Sequence, residues 1–171
     1  MKSGLRAYVL LFVCLVGLAC TKNDVMEDTP TPPDPPGNNS GLNEALLLQL
    51  VNQRRQQGCD CGTVYYPPVG TLSWNNQLET AANAHASDMN QHNYFNHTGR
   101  DGSSPGERIT RAGYNWLAYG ENIAKGYSNE QAVVTAWINS EGHCKNIMNA
   151  NFGEMGAAKV GEYWVQEFGR R

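Results

Sequence analysis

The 171-residue chain predicts an α+β fold, a small sandwich of helices and strands in a single domain, on three observations. Apolar residues recur at helical spacing through residues 42–57 and again from Asn75 to Met89. Two further segments, Ser104-Pro105-Gly106-Glu107 and Ser128-Asn129-Glu130-Gln131, carry the side chains that open helices. The last third changes period, with Met155 to Val160 and Tyr163 to Phe168 flanking a turn at Gly161, the pattern of a terminal β-hairpin. A chain of this length buries one real core and is short for two.

The first forty residues stand apart from that fold. Lys2 and Arg6 precede the apolar run Ala7 to Leu18, then small Ala19 and Cys20, which is the order of a secretory signal. The run is short for a helix that spans a bilayer. Leu15-Val16-Gly17-Leu18-Ala19-Cys20 resembles a bacterial lipoprotein signal, with Gly17 where an aliphatic residue is usual. The resemblance implies cleavage before Cys20 and lipidation of that cysteine; the alternative is an ordinary secretory signal with a cysteine nearby. Pro30, Pro32, Pro33, Pro35 and Pro36 then make 20–40 an extended tether, because proline lacks a donor and favours polyproline conformations. The expected organisation is a signal peptide at 1–19, the lipidated cysteine and tether at 20–40, and the folded domain at 41–171.

Within the domain, Leu42, Ala45, Leu46, Gln49, Leu50 and Arg54 form the expected apolar stripe of a first helix that stops at Gly58. A second helix from about Asn75 carries Leu78, Ala82, His85 and Met89 along one stripe. His85 therefore reads as a hydrogen-bonded, partly buried helix residue, and His92 as exposed. Ser104 and Glu107 are spaced as a capping box with Pro105 in the first turn, and Gly113 should end that short helix. The Ser128 to Gln131 segment leads into Ala132, Val133, Ala136 and Trp137 of another helix.

Composition excludes one class of partner. With 13 basic residues against 16 acidic, a formal charge of −3 and no basic cluster, the footprint of a nucleic-acid binder is missing. The five cysteines sort by segment. Cys14 leaves with the signal and Cys20 carries lipid, while Cys59, Cys61 and Cys144 remain in the domain. Outside the cytoplasm these support one disulfide, since three cysteines lack the ligand count of a structural zinc site. Whether Cys59 or Cys61 pairs with Cys144 is open at this level.

Several spaced segments resemble the cysteine-rich secretory protein, antigen 5 and pathogenesis-related-1 (CAP) family. They are Ala81-Ala82-Asn83-Ala84-His85-Ala86-Ser87-Asp88-Met89, Asn93-Tyr94-Phe95-Asn96-His97-Thr98-Gly99, Arg108-Ile109 with Ala112-Gly113-Tyr114, Gly120-Glu121-Asn122-Ile123-Ala124, the run Trp137 to Met148, and Phe152-Gly153-Glu154-Met155-Gly156. The resemblance covers 42–171 and is closest to the short single-domain bacterial branch. It implies an α-β-α sandwich with an open central cleft lined by two histidines and two acidic residues. By motif these are His97, Glu121 of Gly120-Glu121-Asn122, and His143 of Gly142-His143. The slot of the second glutamate, three residues after Trp137, holds Ser140, and Glu141 is its neighbour. The resemblance also implies that Cys61 bridges Cys144.

Two neutral imidazoles meeting at one spot suit zinc better than calcium or magnesium, so His97 and His143 are the expected metal ligands and zinc the optional cofactor. Without the family, the bland reading has His97 capping a loop and Glu121 accepting backbone hydrogen bonds in a Gly-flanked turn. Two functions remain. The first is a membrane-anchored, periplasmic or outer-surface binding module whose cleft (His97, Glu121, Ser140, Glu141, His143) holds a small, lipidic, glycan or peptide ligand. The second is a metal-dependent hydrolase using Glu121 or Glu141 as the catalytic group. None of the cleft residues that the resemblance implies is an obvious nucleophile, which favours binding.

Overall fold

The structure is a computed structural model and describes residues 41–171, so the signal peptide, the lipidation of Cys20 and the tether lie outside the described residues. α1, Glu44–Gln57, begins where the Asn43 side chain accepts from the Leu46 amide and ends at Gly58, whose φ of 72° suits glycine. Its buried residues are Leu47, Val51 and Arg55, one position on from the expected stripe. The consecutive leucines Leu46, Leu47 and Leu48 let a stripe be drawn in either register, and the buried arginine decides between them. The Arg55 guanidinium donates to the carbonyls of Gly70 (2.6 Å), Ile147 (2.6 Å), Asn149 (3.0 Å) and Phe152 (3.2 Å). Burial lowers its pKa to about 10, which leaves it charged at neutral pH.

A small antiparallel hairpin follows, β1 at Cys59–Cys61 and β2 at Val64–Tyr66. The main sheet has the order β3-β5-β6-β4. β3 is Ser73–Trp74 and lies parallel to β5, Glu154–Val160. β5 and β6, Tyr163–Arg170, form the anticipated terminal hairpin. β4, Ala118–Lys125, pairs antiparallel with β6 along its whole length and is an edge strand. Glu121 thus stands on a strand opposite Glu167, where the residue-level alternative placed it in a turn.

Alternation along the strands sorts the core into two sides. Met155, Ala157, Trp164 and Phe168 pack with Leu47 and Val51 of α1 and with Val133, Val134 and Trp137 of α4, Glu130–Asn139. Ala158, Val165 and Ile123 pack with Ala82, Ala86 and Met89 of α2, Asn76–His92. The result is an α-β-α sandwich. α2 carries the expected buried stripe of Leu78, Ala82, His85 and Met89. α3, Pro105–Arg111, has the full capping box: Ser104 Oγ accepts from the Glu107 amide and Glu107 accepts from the Ser104 amide. α4 is capped by Asn129, which accepts from the Ala132 amide, so the cap lies one residue beyond Ser128. The run after Trp137 divides at Ser140, and a separate α5 spans Glu141–Ile147.

Candidate functional site

Glu121 sits on the α2 side of edge strand β4, two residues before Ile123. Its carboxylate is 2% exposed and receives three basic groups: His97 Nδ1 at 2.6 Å on one oxygen, Arg108 Nη2 at 2.5 Å on the other, and His85 Nε2 at 3.9 Å. Burial alone would raise its pKa, but the hydrogen bond from His97 and the charge of Arg108 outweigh it and hold Glu121 below the usual carboxylate range. A carboxylate can only accept, so His97 donates from Nδ1, which in the neutral ring puts the lone pair on Nε2. The His97 side chain is 52% exposed.

The loop bearing His97 is fastened from below. Arg108 donates to the carbonyls of Ser103 (2.9 Å) and His97 (3.0 Å), and His85 Nε2 donates to the Asn96 carbonyl at 2.8 Å. His85 is the buried helix residue its stripe predicted, and burial lowers its pKa. Its place under the site was not legible, because helical periodicity says which residues face inward and not what they meet. Arg108 was legible as part of a motif without a role.

Glu167 is the other group that sequence reading missed. It is fully buried on β6 opposite Glu121, no basic side chain hydrogen-bonds to either of its oxygens among the described residues, and its carboxyl group lies against that of Glu121. Burial and the adjacent Glu121 charge push its pKa well above the ordinary value, so it carries the proton of the pair. Alternation along β6 signals an inward residue at 167, but Gln166 and Glu167 lie side by side and both are buried, which no single alternating pattern anticipates.

His143 reaches the same edge from the other face of the sheet, on α5. Asn122 Nδ2 donates to the His143 carbonyl at 3.2 Å, and Asn146 Nδ2 donates to the Glu121 carbonyl at 3.0 Å, so β4 and α5 are tied through two asparagines. The His143 ring is half-buried; burial and the nearby His97 lower its pKa. A cavity of about 300 Å³ opens here, lined by Phe95, Lys125, Tyr127, Trp137, Ser140 and His143 among others.

Glu141 does not join this group. Its carboxylate pairs with Lys145 Nζ at 2.5 Å and lies against Gly62 of the small hairpin. Two residues along a helix turn through about 200°, so Glu141 and His143 point to opposite sides of α5. The expectation of a cleft position for Glu141 is corrected on that ground, whereas Ser140 does line the cavity.

Cys61 and Cys144 are joined as a disulfide, with Cα atoms 5.4 Å apart, and Cys59 is a free thiol. The three sulfurs are the described donor group that converges within 4.8 Å; His97, Glu121 and His143 do not form such a group. A cation between the two histidines would therefore have imidazole ligands, with Glu121 orienting His97 from behind. That donor set fits zinc with positions left for water or ligand.

Residues 48–168 match the cysteine-rich secretory protein family, CAP. The uncharacterized protein YkwD of Bacillus subtilis (strain 168) is 38% identical over 128 residues, 73% of this chain and 46% of YkwD. The uncharacterized membrane protein YlbC of the same organism is 33% identical over 103 residues, 60% of this chain and 30% of YlbC. The chain thus spans less than half the length of either relative. Among solved structures, an extracellular protein containing an SCP domain from Bacillus anthracis str. Ames matches with a TM-score of 0.66 at 29% identity, over 75% of this chain and 40% of that one. An outer surface protein from Borrelia burgdorferi matches in fold with a TM-score of 0.60 at 23% identity, over 74% and 90% of the two chains. With the sandwich and the motif residues already placed, the family match over most of the domain makes the chain a member of the cysteine-rich secretory protein (CAP) family.

Proposed function

We propose that this is an extracytoplasmic binding module, held at a membrane by lipidated Cys20, whose cleft takes a small lipidic, glycan or peptide ligand. The observation that carries this reading is the Glu121–His97 pair, fixed by Arg108 and His85 beside a cavity with aromatic walls. Phe95 and Tyr127 offer exposed apolar surface, and Lys125 offers one cationic point, which together suit a ligand with an apolar body and a polar or anionic part. A divalent cation, zinc by its donor set, is held between His97 and His143, and Glu121 fixes the tautomer that leaves His97 Nε2 available.

A hydrolytic reading has one observation in its favour: a buried carboxylate on Nδ1 fixes the ring so that the His97 Nε2 lone pair is free to ligate a metal. Glu121 is committed to His97 and Arg108 and serves as the orienting group in either case. Bound zinc would supply Lewis-acid polarisation of water or of a ligand oxygen.

Zinc titration of the full-length protein by calorimetry tests the site. His97→Ala and His143→Ala are expected to abolish uptake and Glu121→Gln to weaken it about 10–100-fold; unchanged uptake in both histidine variants overturns the metal. A hydrolysis screen on the same proteins separates the readings, since activity that disappears with His97→Ala supports the enzyme and activity that survives both changes excludes this cleft as its source. Cys20→Ala should move the protein from the membrane to the soluble fraction.

A further inference from the structure

The sulfur cluster at the small hairpin stands apart from the cleft chemistry. Cys59 and Cys61 alternate along β1, so both side chains project from the same face of the strand, with exposed Asp60 on the other. That face meets α5, where Cys144 is placed. Cys144 Sγ is bonded to Cys61, stands 3.6 Å from Cys59 Sγ, and lies 3.7 Å from the Asp60 carbonyl between the two. Cys144 therefore faces the middle of the Cys-x-Cys unit and is in reach of both of its thiols.

We propose that the Cys61–Cys144 bond is an exchanging disulfide, with Cys59 as the internal attacking thiol and Cys59–Cys144 as the second native bridge. The Cys59 thiolate attacks Cys144 Sγ; a Cys59–Cys144 bond forms as the Cys61–Cys144 bond breaks. Cys61 leaves with the electron pair and takes up a proton equivalent to the one that Cys59 released. The number of thiols and of disulfides is unchanged, and no external oxidant or reductant enters.

The chain-entropy contribution of the two bridges is the same. The loops they close have sequence separations of 83 and 85, and loop entropy varies only with the logarithm of length. The balance is thus set in the folded state, where Cys61 is fully buried and Cys59 half-buried. Burial raises the Cys59 pKa; Arg54 of α1 opposes that shift and Asp60 adds to it, while Glu141 and Lys145 of α5 are paired with each other. The Cys61 bridge is the resting form, and alkaline pH speeds the exchange. Since Cys144 follows His143, moving the bridge by two residues along β1 shifts the anchor of the helix that carries a cleft histidine.

Peptide mapping decides the matter. The full-length protein is held at pH 8.5 without reductant, quenched with acid, alkylated and digested without reduction. The expected result is a Cys59–Cys144 peptide, with Cys61 alkylated, in about 1% of chains or more. The Cys59→Ser variant is expected to give Cys61–Cys144 alone. Cys61→Ala treated with oxidised glutathione, which is reduced to the thiol as the two protein thiols are oxidised, is expected to form Cys59–Cys144 and to keep the cooperative thermal transition of the wild type. The proposal is overturned if the wild type yields only Cys61–Cys144 with Cys59 alkylated. It is equally overturned if folded Cys61→Ala leaves Cys59 and Cys144 both open to alkylation.

Discussion

Glu121 keeps its charge in a nearly solvent-free place because His97 and Arg108 answer both oxygens, while Glu167, one strand over, has no such partner and keeps its proton instead. The sign of the resulting pH dependence follows from linkage. Above about pH 4.3 the unfolded chain gives up the Glu167 proton and the folded chain does not, so this residue lowers stability progressively as pH rises towards its folded pKa. Glu167→Gln preserves the shape, cannot ionise, and can donate to the Glu121 carboxylate. It is expected to be more stable than the wild type at pH 7, with the difference widening from pH 4 upward by at most about 1.4 kcal/mol per pH unit. Urea denaturation of both proteins at several pH values checks this, and a difference independent of pH would mean that Glu167 is ionised in the fold. Glu121 has the opposite sign: its contribution is present above the unfolded pKa and is lost as pH falls through its depressed folded value.

At the scale of elements, the tightest constraint is the seat of α2 on the sheet. A Cβ built on Gly156 of β5 would stand 2.1 Å from the Glu79 amide nitrogen and 2.6 Å from the Leu78 carbonyl carbon, both backbone atoms of α2. Neither can rotate away, so Gly156→Ala must lift the helix. We expect a loss of about 3 kcal/mol, the upper end of overpacking costs, in urea denaturation, together with weaker zinc uptake because α2 carries the His85 that holds the Asn96 carbonyl. The elements legible in sequence were those with a strong local signal: the α2 stripe, the Ser104–Glu107 box and the β5–β6 alternation. Those that were missed depend on distant contacts. β4 contains Gly120, Glu121 and Asn122, residues of low strand propensity, and is a strand because β6 pairs with it along its length. The face of α1 was misread by one residue, because Arg55 is buried for the sake of four carbonyls that sequence cannot bring together. The same division holds at the site, where His97, Glu121 and His143 were identifiable by motif. Arg108, His85 and Glu167 owe their roles to cross-layer packing, and Glu141 lost its place to the 100° step of a helix.

In the whole molecule, the site is assembled around an open sheet edge from both outer layers. His97 approaches from the α2 side and His143 from the α5 side, so cleft geometry depends on keeping the two layers in register about β4. The asparagine pair Asn122 and Asn146 ties β4 to α5, and the Cys144 disulfide ties α5 to the hairpin that follows α1. Removing Cys144 eliminates both bridges that β1 can make, which substitution of Cys59 or Cys61 alone does not. For a closed loop of sequence separation 83, the chain-entropy model gives about 4–5 kcal/mol. Cys144→Ser is expected to lose most of that in urea denaturation, with Cys59 and Cys61 then both recovered as free thiols on alkylation of the unfolded protein. It should also loosen the cleft: α5 would be held at its start by the Asn122 contact to the His143 carbonyl, and zinc uptake should weaken by more than the change seen in Cys59→Ser. A stability loss without any change in zinc affinity would show that the two asparagines hold His143 unaided, and that the bridge acts on the unfolded chain alone.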